Sequence, residues 1–169
     1  MTMTFYAQPY SLCASGFYFE THLEFAERST ALRDDYGQTV EEFEIQFIDG
    51  QAIDAELFRA LGINQGNIGR FIERAEEWEE HQKRLLVIAA GELGERIDLD
   101  SVDPDDFDID IYEGLTMREL AEQFVDEGLF GDIPEHLAGY IDYEAIARDL
   151  AMDYAQCEIA GASLIYRSA

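Results

Sequence analysis

From Asp106 to Ile111 the chain alternates without a break. Asp106, Asp108 and Asp110 fall on one side, and Phe107, Ile109 and Ile111 on the other. A period of two predicts a half-buried strand. Its three carboxylates then share a face, roughly 6.5–7 Å apart along it. The run Asp103–Glu113 contains no base to neutralise them. Like charges on one strand face repel, so local stability gives no reason for the pattern. The pattern demands a fold with an apolar core under a wet, anionic face.

Helical stretches repeat the design. From about Asn67, Ile68, Phe71, Ile72, Ala75 and Trp78 keep helical spacing, while Glu73, Glu76, Glu77 and Glu80 line the opposite side. Such neighbours cost each other a few tenths of a kcal/mol per pair. Lys83 and Arg84 can pair back to Glu79 and Glu80; the other glutamates have little local relief. Further on, Glu122 and Asp126 occupy one helix face, and Asp149 and Asp153 stand at i, i+4 on another.

Over the whole chain 37 acids face 11 bases, a net charge of −26 in 169 residues. A small soluble domain ordinarily carries a net charge of about 2–8 in magnitude. With 47% hydrophobic residues the chain can still bury a core, which excludes a disordered acidic tail. Acids outnumber bases in every third of the sequence, so the charge belongs to the folded surface. Duplex DNA carries one charge per roughly 1.7 Å of axis, so this charge equals about 44 Å of duplex, or ~13 base pairs. Nucleic acid and anionic membranes repel such a surface, and its partner should be basic. With neither a bilayer-length apolar run nor a signal-peptide core, the sequence points to the cytoplasm.

The order of elements predicts an α+β chain of three small modules. Residues 1–53 read as a three-stranded sheet with one helix. Strands fall at Phe5–Tyr10, Gly16–Phe19 and Glu42–Phe47, and a helix capped by Thr21 and Glu24 runs to about Tyr36. Residues 54–101 read as mostly helical: Asp54 caps a short helix, the Asn67 helix follows, and the apolar run Leu85–Ala90, helix or strand by period alone, is read as helix. Residues 102–169 read as a small sheet with helices. Thr116 and Glu119 form a capping box, Asp142 caps a helix to about Tyr154, and a hairpin closes around Ala160-Gly161-Ala162.

No residues assemble into recognised chemistry. An EF-hand loop started at Asp108 fails, because Tyr112 falls at position 5 and Glu113 replaces the required glycine. His22, His81 and His136 lack metal-ligand spacing, and Cys13 and Cys157 are isolated. Phosphate-cradling loops and nucleophile elbows are missing. The expectation is a protein that is no enzyme and needs no cofactor or metal.

Four phrases resemble the ArdA antirestriction proteins: Thr4–Tyr10, Glu42–Asp49, Leu120–Gly131 and Tyr140–Leu150. The resemblance spans essentially the whole chain. It implies an elongated, curved protein of three domains that dimerises through the last. It also implies an acidic surface that imitates bent duplex DNA and occupies the DNA groove of type I restriction–modification enzymes. Such proteins travel on plasmids, transposons and phages. The family's antirestriction motif falls at about Leu129 to Tyr143. Leu137, Tyr140 and Ile141, an apolar cluster beside a Pro-Glu turn, are the candidate dimer contacts.

The candidate mimic charges are therefore Glu73, Glu76, Glu77, Glu80, Asp106, Asp108, Asp110, Glu122, Asp126, Asp149 and Asp153. The main alternative is an acidic binding protein for some other basic or DNA-binding partner. A carboxylate-dependent hydrolase lacks a constellation, and a salt-loving origin is a rival account of the charge alone.

Overall fold

The computed structural model describes residues 1–169. The chain is α+β and forms two compact units, Met1–Phe107 and Asp108–Ala169. Each holds a three-stranded antiparallel sheet.

In the first unit β1 (Thr4–Pro9) lies between β2 (Phe17–Phe19) and β3 (Phe43–Asp49). The register sets Phe19, Phe5 and Phe47 side by side across the three strands. Phe5 has 0% of its surface exposed, and its ring lies 5.4 Å from Phe19 and 5.5 Å from Phe47. Burying a side chain of this size stabilises by about 2–3 kcal/mol. Helix α1 (His22–Ala31) lays Phe25 on Phe19 and Phe43. From the helical part, Phe58 of α2 (Ala52–Ala60) and Phe71 of α3 (Ile68–Glu77) both meet Phe5, so sheet and helices share one aromatic core.

Three helix readings in this unit need correction. Helix α1 ends at Ala31, well short of Tyr36. There the Asp34 carboxylate accepts bonds from the N–H groups of Tyr36 and Gln38, a local alternative that competes with further helix. At its start Thr21 accepts from Glu24 N–H as expected, but the Glu24 carboxylate accepts from Glu20, one residue before the cap. Asp54 caps nothing: Gln51 occupies the cap of α2, and Asp54 is buried in the first turn.

The residues expected inside α3, Ile68, Phe71, Ile72, Ala75 and Trp78, are all buried. The chain turns at Trp78 and starts α4 (Glu80–Val87); the run Leu85–Ala89, from the end of α4 into the next turn, is wholly buried. The helix continues as one widened turn, Ile88–Glu92.

In the second unit β6 (Ala162–Ser168) is central, flanked by β4 (Ile109–Glu113) and β5 (Ala155–Ile159). Both α5 (Met117–Asp126) and α6 (Tyr143–Leu150) begin as expected, capped by Thr116 with Glu119 and by Asp142. Helix α6 ends at Leu150, and a turn carries the chain to Tyr154, which joins Leu120, Phe124 and Ile165 in the core. Between β5 and β6, Ala160 (φ 52°) and Gly161 (φ 79°) both adopt the left-handed conformation, the backbone of a two-residue type I′ hairpin turn.

The opening strand is shorter than the alternation predicts. Asp103 caps a 3-10 turn over Pro104–Asp106, so Asp106 is not on the strand with Asp110. Proline at the first position of the turn fixes φ and has no N–H to give a ladder. Asp110 stands opposite Arg167, and Tyr112 opposite Ile165, so all four share one face. That face carries the helices at its Tyr112 end and meets solvent at Asp110.

Candidate anionic interface

Of the eleven candidate mimic carboxylates, ten are exposed, and Glu122 is half-buried. Glu73, Glu76 and Glu77 stand on the solvent side of α3, and Glu80 begins α4. Asp106 closes the 3-10 turn, Asp108 precedes β4, and Asp110 lies within it. Glu122 and Asp126 belong to α5. Asp149 is on α6, but Asp153 lies in the turn beyond it, so the expected helical spacing between these two does not form. Asp54 is the one buried acid in the molecule.

The bases are organised, and here the sequence reading fell short. Glu73 and Glu77 do have local relief, from arginines one turn earlier. Arg70 Nη1 donates to Glu73 at 2.9 Å, while its Nε donates to Asp100 at 2.7 Å. Arg74 reaches Glu77 at 3.3 Å and donates to the backbone carbonyls of Leu99 and Asp100. The loop over 98–101 is thereby fixed to the acidic side of α3. Within it the Asp98 carboxylate accepts from the Asp100 N–H and the Ser101 hydroxyl, which hold its pKa below the usual carboxylate value. Arg84 pairs with Glu80 at 2.7 Å as expected, but Lys83 does not reach Glu79. Its Nζ turns inward to Asp54 at 2.5 Å, joining α4 to α2.

The second unit uses the same device. Arg118 of α5 donates from Nε to Glu122 and from Nη1 to Glu144 of α6, both at 3.0 Å. The paired carboxylates push the guanidinium pKa up at Arg118, through Glu122 and then Glu144, and at Arg70, through Asp100 and then Glu73. The Arg167 guanidinium lies 5.6 Å from the Tyr154 ring centroid, on the same sheet face as Asp110.

The spacings Arg70–Glu73, Arg74–Glu77 and Arg118–Glu122 are legible as helical i, i+3 and i, i+4 pairs. The third partners, Asp100 and Glu144, lie 30 and 26 residues away, where no sequence period reaches.

No group of three or more His, Cys, Asp or Glu side chains is arranged to hold a metal ion. No helix is long and apolar enough to cross a membrane. The supposed antirestriction segment carries a 3-10 turn, Glu135–Tyr140, without one buried residue. Leu137 and Tyr140 are exposed, Tyr140 at 86%, and Ile141 is half-buried. Leu129 and Phe130, not among the candidate contacts, are exposed beside them in sequence.

Residues 18–161 match the family model of the antirestriction protein ArdA. The chain belongs to the ArdA antirestriction family. The match takes in every one of the candidate carboxylates and the segment around Tyr140. It includes both double-armed arginines, Arg70 and Arg118. Family membership implies an inhibitor that acts on restriction enzymes. No curated protein matches the chain.

Proposed function

We propose that this ArdA-family chain inhibits type I restriction–modification enzymes by presenting itself as a stretch of bent duplex DNA. It occupies the DNA groove of the methyltransferase core. The observation that carries the reading is the division of charge: all but one of the 37 acids reach solvent at least in part, and 11 bases oppose them. An enzyme that holds DNA places Lys and Arg against phosphates, and much of the affinity comes from counterions released there. Carboxylates at similar density release the same ions and compete for the same groove without chemistry or base readout. The protein acts in the cytoplasm, where incoming DNA meets restriction, and suits a mobile element that must evade it. Two copies joined through Leu137, Tyr140 and Ile141 would double the length of duplex that is imitated.

The test is competition. Labelled duplex bound to a type I methyltransferase core should be displaced by the protein, with log K falling linearly against log salt. Replacing Glu73, Glu76 and Glu77 by glutamine one after another should weaken displacement in steps. Loss of inhibition on Asp108→Asn alone, in a folded protein, would reject distributed charge. Failure to displace DNA, together with capture of another basic protein, would favour the general acidic binding module. Tyr140→Asp should halve the mass seen by light scattering; an unchanged dimer would reject that contact.

A further inference from the structure

We infer that Arg70 and Arg118 are positioning residues of the anionic interface, each clamping two carboxylates from different elements, so that removing their positive charge weakens binding to a cationic groove. The inference rests on the DNA-mimic reading. Simple charge arithmetic gives the opposite sign, since losing an arginine takes the net charge from −26 to −27. Mutual repulsion drives neighbouring carboxylates apart and leaves their side chains mobile. A guanidinium that donates to both opposes that repulsion and fixes their separation.

The geometry is the same in both units. Arg70 sits on α3, bonds Glu73 one turn along, and reaches out to Asp100 in the loop over 98–101, beyond α4. Arg118 sits on α5, bonds Glu122 one turn along, and reaches out to Glu144 on α6. In each case the nearer acid is one of the proposed mimic charges, and the farther acid comes from another element. A double helix presents phosphates at fixed spacing. A mimic whose charges wander must order them on binding, and that loss of freedom lowers affinity. Lysine cannot take the place of arginine here, because a single ammonium lacks the planar fork.

The experiment measures affinity of the full chain for a DNA-free type I methyltransferase core by fluorescence anisotropy, at several salt concentrations. Arg70→Ala, Arg118→Ala and Arg70→Lys are compared with Arg96→Ala. Arg96 is exposed and outside both clamps, so its loss changes the net charge identically. We expect Arg96→Ala to bind as well as the parent or better. Arg70→Ala and Arg118→Ala should each bind about three- to tenfold more weakly, as expected for losing the order of one or two long side chains. Arg70→Lys should recover only part of the loss, although it restores the charge. Circular dichroism and thermal melts confirm that each variant is folded; one that is not is replaced by Arg70→Gln or Arg118→Gln at the same position, which opens that clamp with the same change of net charge as Arg96→Ala. If the clamp variants track Arg96→Ala, the positioning role is overturned while mimicry stands. If the parent itself does not bind the enzyme, mimicry fails and the inference falls with it.

Discussion

The buried pair Asp54–Lys83 offers the sharpest test of how so acidic a chain stays folded. Lys83 is the only lysine in the sequence, and its side chain is 8% exposed; that of Asp54 is 5%. At 2.5 Å and an effective dielectric constant of about 20, their attraction is about 6–7 kcal/mol. Desolvating both ions offsets several kcal/mol each, so the pair as a whole contributes little net stability. The asymmetry lies in breaking it. Lys83→Met leaves a buried carboxylate alone and should cost about 3–5 kcal/mol. For the 107-residue first unit that lowers the melting temperature on the order of 15 °C. The double variant Asp54→Leu/Lys83→Met removes both charges and should recover most of the loss. Urea unfolding of parent, singles and double completes the cycle. Burial has a second readout. An amine-reactive ester should spare Lys83 in the native protein and label it once urea unfolds the chain. A Lys83→Met cost below about 1 kcal/mol, with rapid native labelling, would refute the buried-pair account.

Three further outcomes follow from local geometry. Gly16→Ala should destabilise by about 1–3 kcal/mol in urea melts, because a Cβ there would stand 2.4 Å from the Ala7 carbonyl oxygen and 2.5 Å from the Tyr6 hydroxyl. Ala160→Asn should stabilise by about 0.5–1 kcal/mol, since asparagine tolerates the left-handed backbone that the first hairpin position requires. The Thr116 N–H and hydroxyl bind the Glu119 carboxylate and depress its pKa. Its contribution is therefore present above the unfolded value, about 4.3, and is lost as pH falls through the lower folded value. Thr116→Ala should cost about 1 kcal/mol at neutral pH, and acid titration of parent and variant should show the gap narrowing below about pH 4.

Local patterns carried most of the elements. The helix over Ile68–Glu77 follows from its apolar spacing, because one face of a 3.6-residue period must be covered. The caps at Thr116 and Asp142 follow from side-chain oxygens placed to accept the first free N–H groups. Positions where a side chain had a competing local partner were harder to read, such as Asp34, which stops α1 by bonding its own turn. Periodicity divided the Asp106–Ile111 run into two faces. It could not say which face the helices would cover, nor that Pro104 would pull Asp106 off the strand.

By itself the sequence determined the charge, its spread over every element, and the α+β order of helices and strands, because these depend on residue type and on spacings of two to four positions. Only the tertiary structure decided which acids stay free, which are tied by Arg70 and Arg118, and that one lysine and one aspartate would be drawn into the core. Those outcomes depend on contacts between residues 26 to 30 positions apart. Electrostatic energy varies with distance through space, and separation along the chain does not encode it.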